Sequence, residues 1–383
     1  MRTRAPRHDG GALPVGPPRV VSADAVELRM ADIHSLLASA LRADQIDVSA
    51  STRALFSRGE STAVTSLPDV VAYPETTADV SAVMQVAHDH RVPVTPVGAN
   101  SSLEGHTVPL HGGISLSLAR MDSVLEVAVG DFLAVVQPGV TYPRLNEVLR
   151  PTGLFFPVDP GAEASLGGMA STNASGTLAV RYGVTSDQVM ALEVVLADGS
   201  VVRTGGRARK SSSGYQLTRL FCGAEGTRGV ITEVTVRLTP RPARVMGARA
   251  SFGTVGTCVE YVTELVQSGV AVARCELVDA PTICAIDRHL GLDLAVAHTV
   301  FLEFHGDEHS TGAGVAVALD LARQHGAGTA EAARDGAELN ALWRARHQAF
   351  YCLTAAHPGM NNLVTDLAVP VSRLAEVIEA SRR

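Results

Sequence analysis

Three stretches of small residues in this chain have the composition to hold a phosphate-bearing, planar ligand. The first is Pro96, Val97, Gly98, Ala99, Asn100, Ser101 and Ser102, running on through Gly105 to His106. Side chains this small let successive backbone N–H groups turn into one concavity, and such a nest binds a diphosphate without a lysine. A flexible surface turn would have the same composition. The second stretch runs from Asp159 to Gly176 and contains Pro160, Gly161, Ser165, Gly167, Gly168 and Asn173, with Arg181, Tyr182 and Gly183 just beyond. A long backbone without bulk can approach a flat heterocycle and offer amide hydrogen bonds to its polar edges. The alternative is a loop tightened only for packing. The third stretch, Gly223 to Thr232, sets glycines around Glu225 and Thr227 and at Gly229, ahead of the apolar Val230 and Ile231. There a ligand-facing turn and a plain lead into a strand are equally open.

Other chemistries find less support. No GxGxxG follows a strand, because TGAGVAV lacks the third glycine, and no GxxxxGK[ST] exists, which removes the nicotinamide-dinucleotide and P-loop readings. His305 and His309 stand four apart with Asp307 and Glu308 between them. On a helix that spacing could bind a metal, but here it ends a strand-like run and reads as a solvated turn. The five cysteines, Cys222, Cys258, Cys275, Cys284 and Cys352, form no CxxC pair and read as buried thiols of a reducing compartment.

The elements that must position these segments fall into two modules. Asp69 to Val97 has a strand–helix–strand pattern, with Val80, Val83, Met84 and Ala87 at the spacing of one helix face. A helix is expected from Ala25 to Leu41 and another from Pro143 to Leu149. Pro157 to Thr185 has little periodicity and is too long for an idle loop, so it is expected to wrap something. Strands resume on both sides of the Ala197-Asp198-Gly199 turn and end at Pro240. Beyond Pro242 a strand–helix–strand order occurs twice, which fits a ferredoxin-like sheet with helices on one face. A helix from Leu339 to Ala356, a strand from Asn362 to Val371 and a final helix complete the reading. A net charge of -7 over 383 residues, with no Lys/Arg stripe, argues against nucleic acid. Lys210 is the only lysine, which reads as base composition rather than function. No apolar run is long enough for a transmembrane segment and no signal peptide is apparent. The basic, Pro/Gly-rich first twenty residues read as a tail, and the expected location is cytoplasmic, or peripheral at a membrane.

In this order and at these intervals, the three segments resemble the FAD-binding type 4 family, which has the vanillyl-alcohol oxidase fold. VDPGAEASLGGMASTNASGTLAVRYG, RKSSSGYQLTRLFCGAEGTRGVITEVTVRL, FLEFHG and LWRARHQA are similar to its D-lactate dehydrogenase branch, over roughly residues 65 to 383. The resemblance implies an α+β chain. Residues 1–64 would be a tail and helix, and 65–242 a PCMH-type FAD-binding domain of two α/β subdomains. Residues 243–383 would be an incomplete ferredoxin-like cap, the FAD-linked oxidase C-terminal domain.

By the same resemblance Pro96 to Ser102 would hold the FAD pyrophosphate, Pro160 to Gly176 the ribityl chain and isoalloxazine, and Glu225 to Ile231 the adenine side. Where covalent relatives carry a histidine this chain reads Asn100 and Ser101, so non-covalent FAD is implied, although His106 lies just past the loop. Arg346 would clamp the substrate carboxylate; on its residue type alone it reads as a helix-surface salt bridge. Phe350 and Val364 stand where 2-hydroxyglutarate-oxidising relatives carry threonine and lysine, which favours a monocarboxylate such as D-lactate. The implied reaction passes the Cα hydride to FAD and then electrons to a cytochrome, quinone or electron-transfer flavoprotein. In the family the catalytic base and a divalent metal site come from a later GHxGDGNxH motif and a Glu-His pair, which these 383 residues do not contain. The expectation is therefore a fragment that binds FAD with little or no lactate turnover. The alternatives are a non-catalytic FAD-binding subunit and a glycolate-oxidase-type flavin subunit of a complex.

Overall fold

A reciprocal cap starts the helix Thr77–His90. The Thr76 hydroxyl accepts the N–H of Asp79, and the Asp79 carboxylate accepts the N–H of Thr76. Val80, Val83 and Ala87 are buried along one face, as their spacing requires. They pack on β2 (Val70–Ala72) and β4 (Ile114–Ser117) in a core with Ile114 and Leu116. The computed structural model describes residues 30, 32–60, 64–360 and 366–381. Its first sheet adds β1 (Ile46–Asp47) and β3 (Val94–Val97) in the order β1-β2-β4-β3, with β2 and β3 parallel to β4. β3 delivers the chain straight into Gly98. The expected helix from Ala25 is present over 32–37, while 25–29 and the N-terminal tail lie outside the described residues.

The second sheet is antiparallel throughout. It orders β5 (Val124–Ala128), β6 (Leu133–Val136), β10 (Val230–Arg237), β8 (Val189–Val195) and β9 (Val201–Gly205). The expected turn joins β8 to β9, with Val195 opposite Val201. A short pair, β7 (Leu154–Phe155) with β11 (Thr239–Pro240), closes its end. Val136, Leu145, Met169, Leu192 and Val234 fill the core beneath it. The stretch from Pro157 to Thr185 is more ordered than expected, with short helices Leu166–Thr172, Ala179–Tyr182 and Thr185–Gln188. Leu166, Met169 and Ala170 do sit at helical spacing, but the glycines between them mask the pattern.

The third sheet has the order β13-β14-β12-β15, all antiparallel, from β12 (Arg244–Phe252), β13 (Val272–Val278), β14 (His298–Gly306) and β15 (Thr329–Ala332). This is the expected ferredoxin-like topology. Three expectations need correction. Helices cover both faces: Val255–Gln267 and Glu308–Gln324 pack on one, and Ala280–Leu290, which the pattern did not reveal, packs on the other with Gly336–His347. The alternation of β14 allows this, since Val300, Leu302 and Phe304 face the first set and Phe301 the second. The helix expected over Leu339–Ala356 is two, Gly336–His347 and Ala349–Ala356. Residues 366–370 of the expected strand are irregular, consistent with Pro370, which has no N–H for a ladder; 362–365 lie outside the described residues. Cys258 and Cys352 are buried and the other three thiols half-buried. Burial pushes the Cys258 and Cys275 thiols up to about 12. Among the described residues no helix is long and apolar enough to cross a membrane.

Candidate functional site

The three small-residue segments meet. The Ala99 N–H donates to Ser165 Oγ at 3.3 Å, and a Cβ on Gly98 would lie 2.4 Å from the same atom. A larger residue at Gly98 would have to turn the Ser165 hydroxyl away from the Ala99 N–H. The third closes against both: Gly226 packs on the Pro96 ring, while the N–H groups of Gly223 and Glu225 donate to the carbonyls of Ala170 and Ser171 at 3.0 and 2.9 Å. Glu225 takes φ 50°, a left-handed conformation, to make that turn.

Within the first loop Asn100 is also left-handed, at φ 54°. Its side chain is held by the Arg58 carbonyl at 3.1 Å and the Thr107 hydroxyl at 2.7 Å. The backbone N–H groups of Asn100, Ser101 and Ser102 have no partner among the described residues. Unpaired successive N–H groups beside a cradle of glycines fit a diphosphate-bearing dinucleotide such as FAD. His106 lies at the edge of this nest. Its Nε2 and the Ser102 hydroxyl share a hydrogen bond at 2.5 Å, and its buried Nδ1 stands 3.7 Å from Glu225 with no hydrogen bond.

The remaining expected cofactor residues divide by environment. Gly168 lies 3.1 Å, by its Cβ position, from Ser165 Oγ, and Gly161 is open at φ 83°. Pro160 and Gly161 follow Asp159, whose carbonyl sits where a Cβ of Gly176 would be. Gly167 packs against Pro138, and its N–H donates to the Pro138 carbonyl. Asn173 ends its helix at φ 49° and accepts the Ser186 N–H. Gly183 lies against Asp187, and Gly229 against Val195. Val230 and Ile231 point into the cores below the first and second sheets, positions that serve packing.

Arg346 stands on the helix Gly336–His347, which buries Leu339, Leu342, Trp343 and Ala345. Its Nε donates to Glu276 Oε2 on β13 at 2.9 Å, and its Nη2 stands 2.7 Å from the same oxygen as an ion pair. The salt bridge that its residue type suggested exists, but it crosses from helix to strand instead of running along the helix surface. The side chain is 34% exposed, and Nη1 has no partner among the described residues. Beside it, burial and then the Arg274 charge hold His347 below the usual histidine range. Phe350 is partly exposed, edge-on to Tyr351, and Val364 lies outside the described residues.

A circuit that sequence reasoning missed joins this face to the second segment. Arg274, two residues before Glu276, pairs with Asp159 at 2.8 Å and Glu303 at 3.5 Å, and stacks 4.9 Å above the Trp343 ring. Glu303 accepts from His305 Nε2 at 2.7 Å, and His305 Nδ1 shares a hydrogen bond with the Tyr182 hydroxyl at 2.8 Å. Asp159 also takes the Thr177 hydroxyl and the Leu178 N–H. His305 is thus 7% exposed, not part of a solvated turn; the turn begins at Asp307, which caps the following helix. The available signal was the period of two in FLEFHG, which puts Phe301, Glu303 and His305 on one face of an otherwise apolar strand. Arg274 Nε and Trp343 Nε1 are buried without partners, so this face has polar capacity to spare. Among the described residues no three His, Cys, Asp or Glu side chains gather as a ligand set.

Residues 68–205 match the family described as an FAD binding domain, and residues 241–383 that of FAD linked oxidases, C-terminal domain. A probable mitochondrial D-lactate dehydrogenase of Danio rerio is 44% identical over 87% of this chain and 68% of its own length. A mitochondrial D-lactate dehydrogenase [cytochrome] of Arabidopsis thaliana is 40% identical over 83% of this chain but only 56% of its own length. The glycolate oxidase subunit GlcD of Bacillus subtilis is 31% identical over 91% of the chain and 75% of its own length. Among solved structures, 4-ethylphenol oxidase from Gulosibacter chungangensis superposes with a TM-score of 0.76 at 21% identity, covering 95% of this chain and 79% of that one. That likeness concerns the fold.

Proposed function

Because the chain belongs to the FAD-linked oxidase family, which joins an FAD binding domain to an FAD-linked oxidase C-terminal domain, we propose that it serves the oxidation of a D-2-hydroxy acid, D-lactate to pyruvate. The observation that carries this reading is Arg346, a half-exposed guanidinium with an open Nη1 on the cap face tied to the second segment. A planar, permanently charged fork suits a carboxylate. FAD, when bound, supplies the two-electron acceptor for the hydride leaving C2. The N–H groups of Asn100, Ser101 and Ser102 hold its pyrophosphate, the stretch from Pro160 to Gly176 borders its ring system, and Glu225 to Gly229 lies on the adenine side. Arg346 binds and orients the carboxylate, and the Arg274 circuit keeps the cap seated so that bulk water is excluded.

The electrons then go to a separate acceptor. A cytochrome is favoured by the names of relatives in Arabidopsis and yeast, with a quinone or electron-transfer flavoprotein as the other candidates. We place the protein in the cytoplasm or peripherally at a membrane. A glycolate-oxidase-type flavin subunit is the second reading, favoured by the GlcD relative that spans 91% of this chain. Absorbance spectra of the purified chain test both. We expect flavin bands that D-lactate perturbs more than L-lactate, glycolate or D-2-hydroxyglutarate. A larger response to glycolate supports the second reading, and folded protein without flavin bands overturns both.

A further inference from the structure

We propose that Glu276 is a positioning residue that decides which edge of Arg346 meets the substrate carboxylate. The inference rests on the role given to Arg346 above. A guanidinium can grip a carboxylate side-on, through Nε and one Nη, or end-on, through the two Nη groups. Here a single oxygen, Glu276 Oε2, takes the Nε hydrogen bond at 2.9 Å and lies against Nη2 at 2.7 Å, so it occupies the side-on edge. What remains is Nη1 and the outward hydrogen of Nη2, the end-on edge.

Glu276 is well placed to do this. It shares a face of β13 with Arg274, which Asp159 and Glu303 hold from two directions, so the strand carrying Glu276 is fixed relative to the second segment. Three carboxylates, Asp159, Glu276 and Glu303, stand against two guanidiniums, Arg274 and Arg346. Such a face does not attract anions in general; it admits one only where a guanidinium edge is left open. Without Glu276 the long Arg346 side chain would gain rotamers and present either edge.

The opposite role, in which Glu276 occupies the substrate's place and must be displaced, predicts the opposite sign. D-lactate and its neutral carboxamide, lactamide, serve as probes of the FAD-loaded chain by calorimetry, and their affinity ratio isolates the carboxylate. We expect Glu276→Gln to weaken D-lactate about tenfold, the size of one lost orienting contact, and to leave lactamide unchanged; Glu276→Asp should recover part of the loss. Tighter D-lactate binding in Glu276→Gln, or an unchanged ratio, overturns the proposal. Equal losses for both probes, or lost FAD content, would mean that Glu276 is merely structural and would overturn it too. Arg346→Met separates the underlying reading: if it keeps the wild-type ratio, Arg346 is not the clamp, whatever Glu276 does.

Discussion

His347 lies in the same face as Arg346 and Arg274, and its proton affinity there is depressed chiefly by burial. The folded state therefore favours the neutral ring. The unfolded chain binds a proton near the ordinary value of about 6.5, so stability is complete above that pH and declines as the pH falls from there toward the folded value. We expect the melting temperature to fall as the pH drops below about 6.5, and His347→Gln to flatten that part of the curve. A slope unchanged in the variant would remove His347 as its source. His305 makes a different case, because it satisfies Glu303, a carboxylate only 6% exposed. Replacing His305 with leucine leaves that oxygen unpaired and should cost about 2 kcal/mol in urea denaturation.

The elements were legible where a local rule governed them. Thr76 and Asp79 announce the start of the helix Thr77–His90 and the apolar spacing gives its length; the apolar run of β14 marks it as a strand, but His305 at its polar end reads as solvated until Glu303 and Tyr182 are placed beside it. The helix Ala280–Leu290 was missed although Asp279 caps it and Gly291 ends it, because Ile283 and Ile286 are its only buried apolar residues. The backbone loops of the candidate site were legible because close approach needs glycine, a property of the residue itself. The circuit was not, because Asp159 meets Arg274 across 115 positions and Tyr182 meets His305 across 123. Gly176 tests the loop reading directly. A Cβ there would fall 2.1 Å from the Asp159 carbonyl oxygen, which is backbone and cannot swing aside. Gly176→Ala should lower stability by more than about 2 kcal/mol and reduce FAD content on purification, whereas Gly130→Ala, with open space around it, should do neither.

The two parts of the chain are joined by charge more than by grease at this place. Asp159, Arg274 and Glu303 are each at most 17% exposed, and removing one member of so buried a set strands the others, typically costing about 3 kcal/mol or more. We therefore expect one calorimetric transition for the unmodified chain and two for Arg274→Met, one for each part; a single transition at an unchanged temperature in the variant would show that apolar contacts carry the junction. The circuit also has a shape worth following out. It leaves the second segment at Asp159 and returns to it at Tyr182, while Arg181 adds a hydrogen bond to the Ala271 carbonyl at 3.1 Å. A strap fastened at both ends releases what it encloses only when a buckle opens. The residence time of FAD should therefore be set by how often the cap lifts, so that Tyr182→Phe and Arg274→Met hasten both its escape and its capture in stopped-flow exchange.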